Sequence, residues 1–273
     1  MTPSAALTIA GSDSGGGAGM QADLRTFAAL GVHGCTAVAA LTAQNTVEVR
    51  DVLVTPAPFL RIQIETVLDD IVVAATKTGM LATADNVSVV AELAALGRLP
   101  NLVVDPVMVS STGARLLDRE AERSYIADLI PNALVATPNC REAAVLLGWD
   151  EIATRDRQRD AARALVDLGV TYAVVKGGDL VDSGGESVDV VASAAGLNEL
   201  HAPRIDTMNN HGTGCSFAAA VTGFLALGHD PEDSIDRAKS FVHLAIDGAK
   251  TWKIGHGHGP VDHFATRTRE GEP

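Results

Sequence analysis

The sequence predicts an α/β fold, a mostly parallel sheet with helices on both faces, and three observations carry that prediction. Short β-branched or aliphatic runs alternate with amphipathic stretches, as strand-helix-strand units require. The residues just after those runs are polar or glycine-rich, which suits the carboxyl ends of strands in an open sheet, where ligands bind. The chain has 273 residues with 47% hydrophobic content, enough to bury roughly 75% of the unfolded surface in one large domain.

Taken in order, strands are expected at residues 7–10, 37–41, 74–76, 102–104, 134–136 and 173–175. Helices are expected at 20–30, 59–71, 86–96, 119–130, 141–147 and 157–168, with apolar residues three and four apart, as in Ile64, Val67, Leu68 and Ile71. Residues 186–193 and 199–204, separated by 194–198, read as an antiparallel pair at the sheet edge. A glycine turn at 212–214 opens a helix of small residues, and 231–252 is the closing helix, stopped by the glycine- and histidine-rich 255–260. No repeat or long linker divides residues 1–265, which read as one domain, and the charged 266–273 reads as a frayed tail.

Charge and cysteine usage narrow the function classes. With 21 lysines and arginines against 34 acids and a net charge of −13, the chain lacks the basic face that nucleic acid needs. Any phosphate must therefore be held locally, by amides, a metal ion and one or two lysines. Three scattered cysteines, Cys35, Cys140 and Cys215, form no CxxC and point to a reducing compartment, the cytoplasm. The first residues lack a basic region before the apolar 5–10, and no apolar run approaches the ~20 residues that span a bilayer, so neither export nor membrane insertion is expected.

The most informative stretch is Asn209-Asn210-His211-Gly212-Thr213-Gly214-Cys215 with the small-residue helix that follows. Amides at a helix N-terminus have no intrahelical partner and the dipole adds positive charge, so a phosphate fits against Gly212, Thr213 and Gly214. Cys215 lies in the same field, which is expected to lower its pKa and let it accept or steer a proton. Taken alone, it would also suit a small buried helix residue. No Walker-type G-x-x-x-x-G-K-[ST] occurs, so a nucleoside triphosphate needs this other cradle, with Asp105, Asn139, Glu142 and Lys176 able to hold a hydrated Mg²⁺ and neutralise polyphosphate. Asn139-x-x-Glu142 is equally a capping box, and Asp105 before Pro106 equally a strand-end turn residue. Lys176, directly after a buried strand, is fixed with its charge at the ligand rim. Gly17-Ala18-Gly19-Met20-Gln21-Ala22 satisfies a dinucleotide fingerprint, but the next strand leads to Gln44 and Asn45 rather than to an acid for a ribose, so that reading is set aside. His256, His258 and His263 sit on a glycine-spaced loop without a helical i, i+4 pair and read as loop residues rather than metal ligands.

The joint pattern resembles the ribokinase-like superfamily and, within it, the hydroxymethylpyrimidine/phosphomethylpyrimidine kinases of thiamine biosynthesis. The resemblance runs from Leu7 to about Phe264, through Gly11-Ser12-Asp13-Ser14-Gly15-Gly16-Gly17, Ala43-Gln44-Asn45-Thr46, Lys77-Thr78-Gly79-Met80, Val104-Asp105-Pro106-Val107, Thr137-Pro138-Asn139-x-x-Glu142, Val175-Lys176-Gly177-Gly178 and His211-Gly212-Thr213-Gly214-Cys215. It implies a three-layer α/β/α sandwich. It implies ATP-dependent phosphorylation of 4-amino-5-hydroxymethyl-2-methylpyrimidine and then of its monophosphate, with Mg²⁺, in a homodimer. A carboxamide offers a donor and an acceptor in one plane, so Gln44 is the choice for reading an aminopyrimidine edge. By the same resemblance Gly11 and Asp23 line the hydroxymethyl side, Met80 and Val107 form apolar walls, Asn139 and Glu142 organise Mg²⁺ and phosphate with Asp105 assisting, and Lys176 with Gly178 lies along the nucleotide. Many sugar kinases of the superfamily carry an aspartate where Cys215 stands, and Asn210 replaces a threonine common in relatives. Two alternatives stay in view: a pyridoxal kinase of the same fold, which Gln44 disfavours because a phenolic pyridine gives a carboxamide less to pair with, and a pyrimidine- or nucleotide-binding regulator without catalysis.

Overall fold

The structure is a computed structural model, and it describes residues 2–108, 119–178, 180 and 184–265; the expected tail lies outside the described residues. Nine strands form one sheet in the order β3-β2-β1-β4-β5-β6-β7-β8-β9. They are β1 (Ala5–Asp13), β2 (His33–Gln44), β3 (Val49–Val54), β4 (Val73–Thr78), β5 (Leu102–Val104), β6 (Val135–Ala136), β7 (Tyr172–Val175), β8 (Glu186–Ser193) and β9 (Gly196–Pro203). The six strands from β2 to β7 in that order pair in parallel, while β3, β8 and β9 join antiparallel at the two edges.

Two apolar clusters show why this sequence makes three layers. Successive residues of a strand point to opposite faces, and both faces are apolar here. Leu7, Val104, Ala173 and Val175 pack with Leu60, Ile64, Val90, Leu146 and Leu165, from α2 (Ala57–Asp70), α3 (Ala84–Ala95), α5 (Cys140–Leu147) and α6 (Arg155–Asp167). Their strand neighbours Ala6, Val103 and Val174 pack the other way, with Phe27, Phe217, Val221, Ile235 and Phe241, from α1 (Gly19–Ala29), α7 (Thr213–Ala226) and α8 (Pro231–Ala249). Such near-continuous aliphatic runs are what a parallel sheet covered on both sides requires.

Each expected element is present, with differences that have physical causes. β2 runs on to Gln44, which makes Gln44 a strand-end residue pinned to the β1–α1 loop: its amide donates to Ser14 Oγ and Ser14 Oγ donates back to its carbonyl, both at 2.8 Å. β3 was not expected; its residues are half-buried or exposed throughout, so no buried run announced it. The edge hairpin turns over Ala194 and Ala195 alone, because Gly196 already pairs with Ser193. The expected helix 119–130 breaks into α4 (Arg119–Ser124), a π turn (Tyr125–Leu129) and a 3₁₀ turn (Ile130–Asn132), with Pro131 ending the regular helix. Within the π turn the buried Tyr125 hydroxyl donates to the Gly79 carbonyl at 3.1 Å, tying that turn to the end of β4.

The chain leaves β1 for β2 on one side and returns to β4 on the other. The crevice of an open α/β sheet opens at that switch point, beyond the carboxyl ends of the strands.

Candidate active site

A cleft of about 700 Å³ lies over those strand ends. It gathers Gly11, Gln44, Met80, Asp105, Val107, Asn139, Glu142, Lys176, Gly178, Gly212, Thr213, Gly214 and Cys215 from the whole length of the chain. Of the expected site residues, only Asp23 is not on its lining.

The glycine turn at the floor is built as a helix start without a side-chain cap. α3, α5, α6 and α8 each have a capping side chain, whereas α7 has neither a cap nor an acid in its first turn. Gly212 has φ 83°, and a Cβ on it would lie 1.9 Å from the Gly17 carbonyl oxygen, so only glycine fits. A Cβ on Gly17 would in turn lie 2.4 Å from His211 Cδ2; the two glycine loops are packed against each other. The Thr213 amide and hydroxyl both donate to the Asn210 carbonyl, at 3.3 and 3.0 Å. Among the described residues no acceptor meets the Gly214 and Cys215 amides, and these are the donors an anion would use. Lys176 flanks them, since a Cβ on Gly214 would stand 3.2 Å from its Nζ. Burial works against the Lys176 charge, but Asp105, whose Oδ1 accepts from Nζ at 3.2 Å, and Glu142 outweigh it and raise the pKa.

Cys215 departs from expectation. Burial pushes its thiol up to about 12; Lys77 pulls it down, while Asp105 and Asp23 push it further up. The helix N-terminus does not overcome that desolvation, so the thiol is protonated at neutral pH, the reverse of the lowered pKa expected for a cysteine in this position.

Asp23 is corrected too. It is fully buried behind the cleft, where Lys77 Nζ donates to both carboxylate oxygens at 2.8 and 2.9 Å and Thr8 Oγ1 donates to Oδ2 at 2.6 Å. The residue that reaches the cleft from this pair is Lys77, with its pKa raised: burial opposes its charge, and the neighbouring acids, Asp23 first and Asp105 after it, help to more than restore it. Lys77 carries the same signal as Lys176, a lysine directly after a buried strand, and sequence reasoning used only the second. Asp13 and His211 were also missed. The glycine loop after β1 wraps a carboxylate of its own chain: Asp13 accepts the amides of Gly15, Gly17 and Ala18 at 2.8, 3.0 and 2.8 Å, and His211 Nε2 stands 3.0 Å away. Of the loop histidines, His258 Nδ1 meets Asn210 Oδ1 at 2.8 Å, and His263 is buried with Nε2 2.9 Å from Ser216 Oγ.

The phosphomethylpyrimidine kinase family model matches residues 13–262, which includes both glycine loops and every strand end of the cleft. The chain belongs to the phosphomethylpyrimidine kinase family. It is 45% identical to the hydroxymethylpyrimidine/phosphomethylpyrimidine kinase of Streptomyces coelicolor, over 96% of this chain and 95% of that one. It spans nearly the full length of such relatives and about half the length of relatives named as bifunctional thiamine biosynthesis proteins. Among solved structures, an ADP complex of Bacillus subtilis pyridoxal kinase superposes with TM-score 0.90 at 38% identity, covering 97% of this chain and 99% of that one. A phosphomethylpyrimidine kinase from Clostridium difficile gives 0.77 at 36% identity, covering 89% and 99%.

In this family member Asn139-x-x-Glu142 is a complete capping box: the Glu142 amide donates to Asn139 Oδ1 at 2.9 Å and the Asn139 amide to Glu142 Oε2 at 2.8 Å. The box does not exclude a second role, because it is what fixes both side chains on the cleft wall. The donor set suits Mg²⁺. Among the described residues no group of three or more His, Cys, Asp or Glu could enclose a metal, and Mg²⁺ is ordinarily held by one or two carboxylates with water and phosphate oxygens completing its shell. Asp105 and Glu142 supply that number of hard oxygen donors.

Proposed function

We propose that the cleft transfers a phosphoryl group from ATP to the hydroxymethyl group of 4-amino-5-hydroxymethyl-2-methylpyrimidine, and then a second to the monophosphate. The observation that carries the reading is the placement of Gln44, with its planar donor and acceptor, in the same cleft as an uncapped helix start flanked by Lys176. Gln44 reads the ring nitrogen and exocyclic amine, Met80 and Val107 hold the ring faces, and Gly11 lies beside the substituent. The Gly214 and Cys215 amides with Lys176 take the charge of the transferred phosphoryl, and Gly178 and Asn139 lie along the nucleotide. Asp105 and Glu142 would hold Mg²⁺, which neutralises phosphate charge when bound. Because phosphoryl transfer passes through a loose transition state, positioning and charge stabilisation dominate and little base strength is needed. A protonated Cys215 then acts as a hydrogen-bond partner that places the hydroxyl, whose proton passes late in the transfer to an oxygen of the incoming phosphoryl group and from there to water.

Cys35, Cys140 and Cys215 form no disulfide, which supports a cytoplasmic setting. The exposed apolar side chains of Leu41, Val52 and Leu53 at the β2–β3 edge support a homodimer, since a contiguous exposed apolar patch is ordinarily covered; light scattering tests it.

A second reading, pyridoxal phosphorylation, is favoured by the superposition on pyridoxal kinase. Turnover with ATP and Mg²⁺ on the pyrimidine, its monophosphate and pyridoxal in parallel, with products separated by charge, decides between them. Diphosphate from the pyrimidine is expected. Turnover of pyridoxal alone would mean that Gln44 does not read an aminopyrimidine, and no ADP from any of the three would move the reading to a binding protein without catalysis or to a kinase of another substrate.

A further inference from the structure

A carboxamide can sit either way round in its site, and the hydrogen-bond network around it decides which. Around Gln44 that network is anchored on Asp13. Burial alone would raise the Asp13 carboxyl, but His211 and the amides of Ala18 and Gly15 hold it below its ordinary range, so it is ionised and only accepts. His211 Nε2, 3.0 Å from Asp13 Oδ2, must therefore carry a proton. The same Nε2 is 3.3 Å from the atom placed as Gln44 Nε2, which sets one N–H against another. Turning the amide over removes the conflict. Its oxygen then takes a second branch of the His211 N–H, and its nitrogen faces Thr42 Oγ1 across 3.3 Å. That hydroxyl gives its own proton to the Ser12 carbonyl at 2.9 Å and is open as an acceptor.

We propose that His211 is a positioning residue that determines specificity: its Nε2–H, held by Asp13, fixes the Gln44 carboxamide with oxygen toward His211 and nitrogen toward Thr42. The remaining lone pair and the remaining N–H then present one ordered acceptor and donor to the cleft. This rests on the reading of Gln44 as the group that pairs with the pyrimidine. The exocyclic amine donates to the oxygen and the neighbouring ring nitrogen accepts from the amide, which admits the ring in one orientation. An amide free to turn over would also admit the ring flipped, with its hydroxymethyl group carried to the opposite side.

The test is a double-mutant cycle on the full chain, reading kcat and KM for the pyrimidine and for ATP in wild type, His211→Phe, Gln44→Ala and the double variant. His211→Phe keeps a ring against Gly17 and removes the N–H. It is expected to raise the pyrimidine KM about tenfold, the scale of one or two lost hydrogen bonds, with much smaller changes in kcat and in the ATP KM, and to add nothing once Gln44 is alanine. His211→Gln, which can return an N–H near the Nε2 position, is expected to recover most of the loss, and His211→Asn, too short to reach Gln44, is expected to match the phenylalanine variant if that one fails to fold. Equal effects of His211→Phe in both backgrounds would show that it acts on the loop packing instead and would overturn the inference. A Gln44→Ala chain with unchanged pyrimidine KM would sink the reading of Gln44 and this inference together, whereas a raised KM there with no effect at His211 would sink this inference alone.

Discussion

Cys215 shows how far residue identity can differ from residue chemistry. The sequence places a thiol at a helix start, where the field favours the thiolate; half-buried on the cleft wall, it still has enough protein around it that desolvation wins and the pKa rises to about 12. Magnitudes separate the two roles that follow. Loss of a general base typically costs about 10²–10⁴ in rate, whereas loss of a neutral hydrogen-bond partner costs about tenfold. Cys215→Ala is expected to lower kcat about tenfold while raising the pyrimidine KM far less. A loss well beyond a hundredfold, together with a wild-type kcat that climbs tenfold per pH unit through the alkaline range, would return Cys215 to the role of base. Asp23 teaches a related lesson. Its acid identity was legible, but its direction was not, because nothing local in the sequence says that α1 faces Lys77 of β4.

At the level of elements, α7 depends on a brace that no sequence pattern marks. His263 Nε2 meets Ser216 Oγ at 2.9 Å, and Ser216 Oγ donates to the Gly212 carbonyl at 2.8 Å, so a buried histidine stiffens the turn that opens the helix. Burial, with a smaller push from Arg25, lowers the His263 pKa to about 4. A histidine held neutral in the fold with an unfolded pKa of about 6.5 gives stability that is fully present above about pH 6.5 and lost as pH falls through about 4. The linked free energy is on the order of 3 kcal/mol. Denaturant melts from pH 7 to 4 are expected to show the wild type losing stability over that window and His263→Gln losing distinctly less; parallel slopes would mean that His263 is not held neutral. The elements that were legible share a property that α7's brace lacks. β1, β5, β7 and the helices covering them repeat apolar residues at the period of their own geometry, so local pattern suffices. β3 has no buried run, the π turn at Tyr125 interrupts a pattern that reads as continuous helix, the Asp13–His211 contact joins positions 198 apart, and His263 meets Ser216 47 positions away. The site was legible as a set of strand ends and not as a set of contacts.

At the level of the whole molecule, the proposed reaction asks a chain of net charge −13 to bind a polyanion. Its cleft collects Lys77, Arg141, Lys176, Arg204 and Lys239 against Asp13, Asp105, Glu142 and Asp189, so the lining is close to neutral while the rest of the surface is acidic. The two contributions respond differently to salt. The repulsion from the acidic surface acts over the Debye length, about 30 Å at 0.01 M and about 8 Å at 0.15 M, and is largely screened at the higher value. The attraction from Lys176 and the α7 amides acts at contact from buried or half-buried positions, where screening is weak. Raising ionic strength from about 0.01 to 0.15 M with Mg²⁺ held constant is therefore expected to lower the KM for ATP, and that for the pyrimidine monophosphate, while leaving the KM for the uncharged pyrimidine unchanged. Steady-state kinetics across a salt series reads this directly. A KM for ATP that rises steeply with salt would mean that the cleft's cations, and not the acidic surface, set the field that an incoming nucleotide meets.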